Sequence, residues 1–217
     1  MASEHKLRAL LSPKISAALA AASKALRDAG IEYALCGGLA LDHHADEPRF
    51  TCDVDFIVDP ADWESAAEAI QSVGFDRGDL DDMLTQLENK DGVRIDLLFG
   101  VGDPEESARV TAKKATVLGV RGVPVVASEY LVWMYLLSDQ RRHEEDAERL
   151  IAQGIDLNKL AGWLRQTGSR HELARLGGMV ARVRGRRDRG QAIPTSKRKA
   201  SPKRHAVATP KRVSRKV

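Results

Sequence analysis

Hydrophobic residues near the start of the chain recur every three or four positions, which is the period of an α-helix with one buried face. This pattern predicts an amphipathic helix that ends at Gly30, a residue type that often terminates helices. The period then changes, because the apolar run Ile31 to Cys36 (IEYALC) is short and has no helical spacing. It predicts a buried strand that leads into a tight turn at Gly37-Gly38 and a short helix from Leu39 to His44. The residues with the helical period are Leu7, Leu11, Ile15, Leu19, Ala22 and Leu26.

A second strand and a second helical pattern follow. Thr51 to Val58 (TCDVDFIV) alternates polar and apolar residues in its first half, which predicts a strand that Asp59-Pro60 closes. Pro60 is suited to the first turn of a helix, because its missing N–H group would have no partner there. We therefore predict a helix from Ala61 to Val73, which Gly74 ends.

The middle of the chain predicts two hairpins and a helix. Met83 to Glu88 and Val93 to Phe99 flank Asn89-Lys90-Asp91-Gly92, whose Asp-Gly pair favours a hairpin turn. Val93 to Phe99 is therefore expected to be a core strand. A helix is predicted from Pro104 to Lys114, and a second hairpin is predicted to turn around Arg121-Gly122.

The rest of the chain is predicted to be helical and then disordered. Ser128 is the expected N-cap of a helical region that continues to about Arg184, with breaks near Asp139, Gly154 and Gly168. The pattern as a whole predicts a small α/β domain followed by helices. The predicted units are an α/β domain with its N-terminal helix (1–127), a helical subdomain (128–184) and a disordered basic tail (185–217).

Charge is distributed unevenly along the chain. The residues from Arg182 onward contain 14 of the 34 Lys and Arg residues and one of the 31 acidic residues, so their formal charge is +13 and that of the preceding residues is −10. Residues 185 to 217 have almost no large apolar side chains, which predicts disorder. Because paired basic residues suit phosphate backbones, we predict RNA or another nucleic acid as a partner of the tail. A solubilising extension is the alternative.

The bulk composition predicts a globular protein of the cytoplasm. Of the 217 residues, 43% are hydrophobic and 30% are charged, and this length is sufficient for a packed core. Cys36 and Cys52 are expected to be small buried side chains, which fits a reducing cytosol better than export. His43 and His44 have no further ligand at metal-binding spacing, so we interpret them as exposed residues at a helix end. No stretch approaches the ~18 consecutive apolar residues of a membrane span, so no membrane partner is expected.

Three aspartates are candidate metal ligands. Side chains alternate along a strand, so Asp53 and Asp55 are predicted to emerge on one face with their Cα atoms about 7 Å apart. Unless a cation or an arginine lies between them, their repulsion raises the pKa of one carboxyl, whereas a divalent metal stabilises both carboxylates. Asp96 interrupts the apolar strand Val93 to Phe99, where a carboxylate without a partner is costly. We therefore predict that Asp96 completes a metal-binding triad.

The order of these features resembles a known family. Gly37-Gly38-Leu39-Ala40, followed by Arg49-Phe50-Thr51-Cys52-Asp53-Val54-Asp55-Phe56, is similar to the GG-x-A … R-x-T-x-D-x-D signature of nucleotidyltransferases of the DNA polymerase β superfamily, in the branch of the AbiEii abortive-infection toxins. The later segment Val123 to Leu150 is similar to the helical segment that follows in those proteins. The likeness covers roughly residues 28 to 175, and the first signature is its most specific part.

The resemblance implies a fold, an activity and roles for individual residues. It implies an α/β nucleotidyltransferase fold, with a small mixed sheet flanked by helices, that moves an NMP from an NTP such as ATP to an acceptor hydroxyl. Asp53 and Asp55 would hold two Mg²⁺ ions, and Asp96 would help to activate the acceptor. For Arg49 and Thr51, a salt bridge and a strand-start hydrogen bond are the alternative to phosphate contacts. The implied nucleotide-binding residues are Gly37, Gly38, Arg49, Thr51 and Asp146.

One position departs from the family pattern. Relatives carry a lysine near the position of Tyr135, and the aspartate that follows in their Arg … Lys-Asp motif matches Asp146. Loss of that lysine removes a triphosphate contact unless Arg141 or Arg142 substitutes for it. A solvated helix face with pairs four residues apart is the alternative interpretation of Arg141, Arg142, Glu144, Glu145 and Asp146.

Three functions follow from these observations. The first is transfer of an NMP to an RNA or tRNA 3′ end, as in toxin-antitoxin and phage-defence systems, with an antitoxin as a partner. The second is the same chemistry on a small hydroxylated molecule, since aminoglycoside and lincosamide nucleotidyltransferases have similar signatures. The third is a catalytically degenerate domain that binds nucleotide or nucleic acid. Tyr135 favours the third function, whereas the presence of all three aspartates favours an enzyme.

Overall fold

The computed structural model describes residues 2–45, 51–81, 84–100, 102–138, 140–167 and 169–190, so the predicted site residue Arg49 and the tail from 191 onward lie outside the described residues. The helices are α1 (Ala2–Asp28), α2 (Gly37–His44), α3 (Trp63–Gln71), α4 (Asp103–Val110), α5 (Ser128–Leu136), α6 (Arg141–Gln153), α7 (Leu157–Gln166) and α8 (Arg170–Asp188). The strands are β1 (Tyr33–Cys36), β2 (Asp53–Val58), β3 (Phe75–Asp81), β4 (Leu84–Asn89), β5 (Arg94–Phe99), β6 (Lys113–Val117) and β7 (Val120–Val125).

The strands form one mixed sheet of seven strands in the order β3-β4-β5-β2-β1-β7-β6. The central strand β2 pairs antiparallel with β1 and parallel with β5, and β1 pairs parallel with β7. The two edges of the sheet are the antiparallel hairpins β3-β4 and β6-β7. The predicted α/β class, with a mixed sheet flanked by helices, is confirmed.

Different helices cover the two faces of the sheet. Helices α1 and α3 pack on one face, where the Tyr33 hydroxyl donates to the Ser23 carbonyl of α1 at 3.3 Å and the Tyr33 ring meets Phe56 edge-on. Because side chains alternate along β2, Asp53 and Asp55 belong to the opposite face from Phe56. Helices α2, α4 and α5 pack together on that second face.

Helix α1 has the buried face that its periodicity predicts. Ile15, Leu19, Ala22 and Leu26 are all buried against the sheet and its neighbours. The helix ends at Asp28, and Gly30 follows with φ +72°, a conformation that favours glycine because a Cβ atom would crowd the backbone. The predicted first element is therefore confirmed.

The edge strand β3 was not predicted. Its sequence, FDRGDLD, contains three aspartates and a glycine, a composition that is depleted in strands. It pairs antiparallel with β4, with a shift of register between Arg77 and Leu80. Charged residues on an edge strand oppose pairing with other chains, so this sequence is consistent with an edge although it lacks the alternation of a strand.

Two predicted helices are too long. Helix α3 begins at Trp63 rather than Ala61 and ends at Gln71 rather than Val73. Helix α4 ends at Val110, before the predicted end at Lys114. The following segment Lys113–Val117 pairs with β7 as a strand, so tertiary pairing determines its conformation.

The second predicted hairpin is present, but its turn lies elsewhere. Strands β6 and β7 are joined at Leu118-Gly119, where φ is +48° and +82°, and not at Arg121-Gly122. Two successive positive φ angles are typical of the tight turns that connect antiparallel strands. Gly122 also has a positive φ, of +74°, but lies inside β7 near a shift in register. An isolated glycine in a strand often marks such an irregularity, and here it misplaced the predicted turn.

The region from Ser128 onward is helical, with separations near the predicted breaks at Asp139, Gly154 and Gly168. Ser128 is the first residue of α5 rather than its N-cap, which is Ala127. No helix in the described parts of the chain is both long enough and apolar enough to cross a membrane. The division into an α/β domain and a helical subdomain stays a prediction.

Helix α8 is longer than predicted. It continues past Arg184 to Asp188. Glu148 of α6 is almost fully buried and accepts hydrogen bonds from two α8 side chains, Arg182 at 2.5 Å and Arg186. These ion pairs attach the basic last turns of α8 to α6, which explains why residues of low apolar content remain helical there.

Helix α4 carries two buried charged residues, Glu105 and Arg109, and Arg109 links the helix to Asp59 at the end of β2. Arg109 Nη2 donates to Asp59 Oδ2 at 2.5 Å, and Glu105 lies one helical turn before Arg109. Burial raises the pKa of the Glu105 carboxyl, and the nearby Arg109 offsets only part of that effect. The ionised form of Glu105 is therefore less favourable in the fold than in the unfolded chain.

We expect Glu105→Gln to stabilise the fold at pH 8, because it removes a buried charge whose pKa is raised. The gain should be complete above the raised pKa of the folded state and absent below the ordinary glutamate pKa. Urea unfolding at pH 8 and at pH 4 measures this difference. Glu106→Gln is the matched control, since Glu106 is the exposed neighbour and should show no comparable gain. A Glu105→Gln variant that is less stable at pH 8 would contradict the prediction.

Candidate active site

The register of β2 and β5 brings the three predicted aspartates together. These strands run parallel, with Asp53 opposite Arg94 and Asp55 opposite Asp96. Residues that are opposite one another in a sheet share a face, so Asp53, Asp55, Arg94 and Asp96 lie on the face that α2, α4 and α5 cover. Asp53 and Asp55 are partly exposed, whereas Asp96 is buried to 9% of its full accessibility. The three aspartates therefore form one acidic group on the adjacent strands β2 and β5.

The diglycine turn lies directly against Asp55. Cys36 pairs with Asp55 across β1 and β2, and α2 starts at the next residue, Gly37. Gly37 has φ +59°, and a Cβ atom at this position would overlap the Asp55 carboxylate. The Gly38 N–H donates to Asp55 Oδ2 at 3.4 Å. Glycine is therefore required at position 37 for both its backbone conformation and the close approach of Asp55.

Thr51 orients the first aspartate. Its hydroxyl donates to Asp53 Oδ1 at 2.5 Å, immediately before β2 begins. This contact corresponds to the strand-start hydrogen bond that was the alternative to a phosphate contact. The role of Thr51 in nucleotide binding stays a prediction.

Arg94 is a site residue that the sequence reasoning missed. Its Nη2 atom donates to Asp53 Oδ2 at 3.1 Å, and its Nε atom lies 2.9 Å from Asp96 Oδ1. The Nε contact is an ion pair without the alignment of a hydrogen bond, so Asp96 Oδ1 is buried with no hydrogen-bond partner. Arg94 lies two residues before Asp96, and the period of a strand was the signal that places both on one face.

Burial has the largest effect on the pKa of the Asp96 carboxyl, and the charge of Arg94 has the next largest. Burial raises the pKa of the Asp96 carboxyl, Arg94 acts in the opposite direction, and Asp53 raises the pKa further. On the neighbouring strand β1, burial also raises the pKa of the Cys36 thiol, with smaller contributions from Asp55 and Asp96. Asp96 is thus a buried carboxylate that needs a positive partner.

The donor atoms fit a hard divalent cation, but the present side-chain arrangement is closed. Carboxylate oxygens are the ligands that Mg²⁺ prefers, and the buried Asp96 Oδ1 atom accepts no hydrogen bond, although it forms an ion pair with Arg94. Within the described residues, however, no three His, Cys, Asp or Glu side chains are gathered in the geometry of a metal site. Arg94 contacts Asp53 and Asp96, and Asp55 is turned toward the diglycine backbone.

The helices place Tyr135 beside the same turn. The Tyr135 hydroxyl donates to the Gly37 carbonyl at 3.5 Å, and its ring stacks on His143 with centroids 4.9 Å apart. Asp146 is completely buried in α6 and forms an ion pair with Arg149 at 3.5 Å. Because Asp146 is buried, the solvated-face interpretation is wrong for this residue. The role of Asp146 in nucleotide binding stays a prediction.

The two cysteines and the adjacent histidines His43 and His44 differ in their exposure to solvent. Cys36 is buried as expected, whereas the expectation that Cys52 is buried is wrong, since Cys52 is exposed just before β2 begins. His43 is exposed, whereas His44 is partly buried and its Nε2 atom lies 2.7 Å from the Val126 carbonyl oxygen. His44 therefore links α2 to the end of β7 and is not simply an exposed residue.

The fold is similar to that of known nucleotidyltransferases. No protein-family model and no curated protein matches the sequence. The solution structure of the antibiotic-resistance factor ANT(2″)-Ia matches with a TM-score of 0.55 and 16% identity, over 82% of this chain and 99% of that chain. The crystal structure of ANT(2″)-Ia with adenylyl-2″-tobramycin matches with a TM-score of 0.50 and 16% identity, over 77% and 95% of the two chains. The chain therefore has the nucleotidyltransferase fold.

Proposed function

We propose that the chain is a nucleotidyltransferase that moves an NMP from an NTP to an acceptor hydroxyl and releases pyrophosphate. The observation that carries this proposal is the pairing of β2 with β5, which puts Asp53, Asp55 and Asp96 on one face at the diglycine turn. The nucleotidyltransferase fold supports it independently of the residues. A fold alone does not define an activity, so the carboxylates are the stronger support.

Asp53, Asp55 and Asp96 would hold the divalent ions, which we propose to be two Mg²⁺. When bound, such ions neutralise phosphate charge and favour ionisation of the attacking hydroxyl. The buried Asp96 Oδ1 atom, which accepts no hydrogen bond and contacts the cationic Arg94, supports this assignment within the chain.

The chain's own groups would position the reactants. Helix α2 starts at the diglycine turn, and in our proposal the backbone N–H groups at its N-terminus bind a phosphate of the nucleotide. In our proposal Asp96 accepts the proton of the acceptor hydroxyl, whose oxygen bonds to the α-phosphorus while the bond from that phosphorus to the bridging oxygen breaks. Gly38, Thr51, Arg49 and Asp146 complete the proposed nucleotide-binding set.

Two classes of acceptor are proposed. The basic C-terminal sequence, with its formal charge of +13 from Arg182 onward, supports an RNA or tRNA 3′ end, since basic chains bind phosphate backbones. A toxin of the AbiEii branch, in the cytoplasm and with an antitoxin partner, is the form of this proposal that the sequence signature favours. The similarity to ANT(2″)-Ia, which was crystallised with adenylyl-2″-tobramycin, supports a small hydroxylated acceptor instead.

One assay tests the activity and separates the acceptors. The full chain is incubated with each α-labelled NTP, Mg²⁺ and either total RNA or a panel of aminoglycosides and lincosamides. Label on RNA supports the first acceptor class, and label on a small molecule supports the second. Nucleotide binding without transfer to either acceptor would show that the degenerate-domain alternative, favoured by Tyr135, is correct and that the proposal is wrong.

A further inference from the structure

Arg94 provides the positive charge within the carboxylate group. Its guanidinium contacts Oδ2 of Asp53 at 3.1 Å and Oδ1 of Asp96 at 2.9 Å, so it joins two of the three carboxylates. Asp55, opposite Asp96 in the sheet, accepts instead from the Gly38 N–H. The guanidinium is therefore placed where a shared cation would contact the same two side chains.

Arg94 contacts one oxygen atom of Asp53 and one of Asp96, and both aspartates are proposed metal ligands. A guanidinium binds carboxylates through their lone pairs, and a metal ion binds through the same lone pairs. Both are cations, so they also repel one another at short range. Repulsion between the two cations therefore opposes metal binding at Asp53 and Asp96 while Arg94 keeps its contacts with them.

The side chain of Arg94 is exposed enough to move from the carboxylates into solvent. It is 41% exposed, whereas the side chain of Arg109, which holds Asp59 under α4, is 6% exposed. Moving the partly exposed guanidinium into solvent leaves Asp96 as a buried carboxylate, which an incoming metal ion would neutralise in its place. Exchange of Arg94 for a metal ion is therefore compatible with an intact fold.

From these contacts we infer that Arg94 and a divalent metal ion compete for Asp53 and Asp96, so that metal binding requires Arg94 to release both carboxylates. This inference rests on the proposed function, since it takes the three aspartates as the metal ligands. Arg94 then holds two like charges together in the metal-free protein and lowers the affinity of the site for the ion. The ion pairs of Arg94 thus order the carboxylates in the metal-free protein and must break before the metal ion binds.

The test measures Mn²⁺ binding to the full chain by electron paramagnetic resonance of the free ion. We expect Arg94→Gln to bind Mn²⁺ on the order of tenfold more tightly than the wild-type chain, because the competing cation is gone. Arg77→Gln is the matched control: Arg77 is also paired with a carboxylate, Glu64 at 2.6 Å, but on the other face of the sheet. It should leave Mn²⁺ binding unchanged. Equal or weaker binding by Arg94→Gln would overturn the inference.

Asp55→Asn distinguishes failure of the proposed metal site from failure of the proposed competition between Arg94 and the metal ion. If the wild-type chain binds Mn²⁺ and Asp55→Asn loses it, the proposed metal site stands whatever Arg94 does. If neither Asp55→Asn nor Arg94→Gln changes binding, or if the wild-type chain binds no Mn²⁺, the proposed site itself is wrong.

A second measurement does not depend on the folding of a variant. In the wild-type chain the ¹⁵Nε resonance of Arg94, assigned by its absence from Arg94→Lys, should shift when Mg²⁺ is added. The Arg77 resonance serves as the internal reference and should stay in place. A saturated metal site with an unmoved Arg94 resonance would show that the two cations do not compete.

Discussion

Replacing Asp55 by Asn is expected to lower the rate of nucleotidyl transfer by on the order of a thousandfold, because a metal site supplies several kcal/mol of transition-state stabilisation. Asp55 is central to the group: it lies opposite Asp96 in the sheet, two residues from Asp53, and against the diglycine turn. Asparagine keeps the shape of the side chain but removes its charge. The fold should therefore persist, and its free energy of unfolding should not fall, since one of three neighbouring like charges is removed.

Single-turnover transfer from labelled NTP, with urea unfolding on the same samples, measures both effects. Asp91→Asn is the control, because Asp91 is an exposed carboxylate on the β4-β5 turn and forms an ion pair with Lys14 at the surface. It should transfer at the wild-type rate. If Asp55→Asn retained transfer at a rate near that of Asp91→Asn, the assignment of the site would be wrong.

Gly37→Ala is expected to damage the site and the fold together. The backbone at Gly37 has φ +59°, which costs a residue with a Cβ atom roughly 1–2 kcal/mol. The added methyl group would also overlap the Asp55 carboxylate, so Asp55 must move away from its place beside Asp96. We expect loss of transfer and of Mn²⁺ binding as well as a lower free energy of unfolding.

Gly30→Ala separates the two causes. Gly30 has a similar φ of +72°, but a Cβ atom there meets nothing within 4 Å. This variant should show the conformational cost alone, of about 1 kcal/mol, with normal transfer per folded molecule. Urea unfolding and Mn²⁺ titration of both variants give the comparison. Normal Mn²⁺ binding by Gly37→Ala would contradict the close contact between the turn and Asp55.

Local signals in the sequence were sufficient for much of the fold. The helical period of α1, the Asp-Gly hairpin between β4 and β5, and the helix breaks after Ser128 each depend on residues close in sequence, and these elements are present. The candidate site was accessible for the same reason. A doubly acidic segment with strand alternation and one aspartate in an apolar run are visible without any knowledge of pairing.

Features that depend on strand pairing or on burial could not be predicted from local sequence signals. The strand β3 has no apolar alternation and exists because β4 offers it a partner at the edge. Asp146 belongs to a charged helix segment, and only the packing of α6 shows that it is buried. Arg94 looked like an ordinary residue at a strand end, because its two carboxylate partners become neighbours only once β5 aligns with β2.

The central position of β2 also affects how the site responds to partial unfolding. β2 has a hydrogen-bonded neighbour on each side, β1 and β5, and two further strands lie beyond each of these. Strands in the interior of a sheet exchange their amide protons mainly through global opening, whereas edges fray locally. Amides of Val54 and Phe56 should therefore be among the slowest to exchange with deuterium, and loss of the carboxylate arrangement should coincide with cooperative melting of the entire domain.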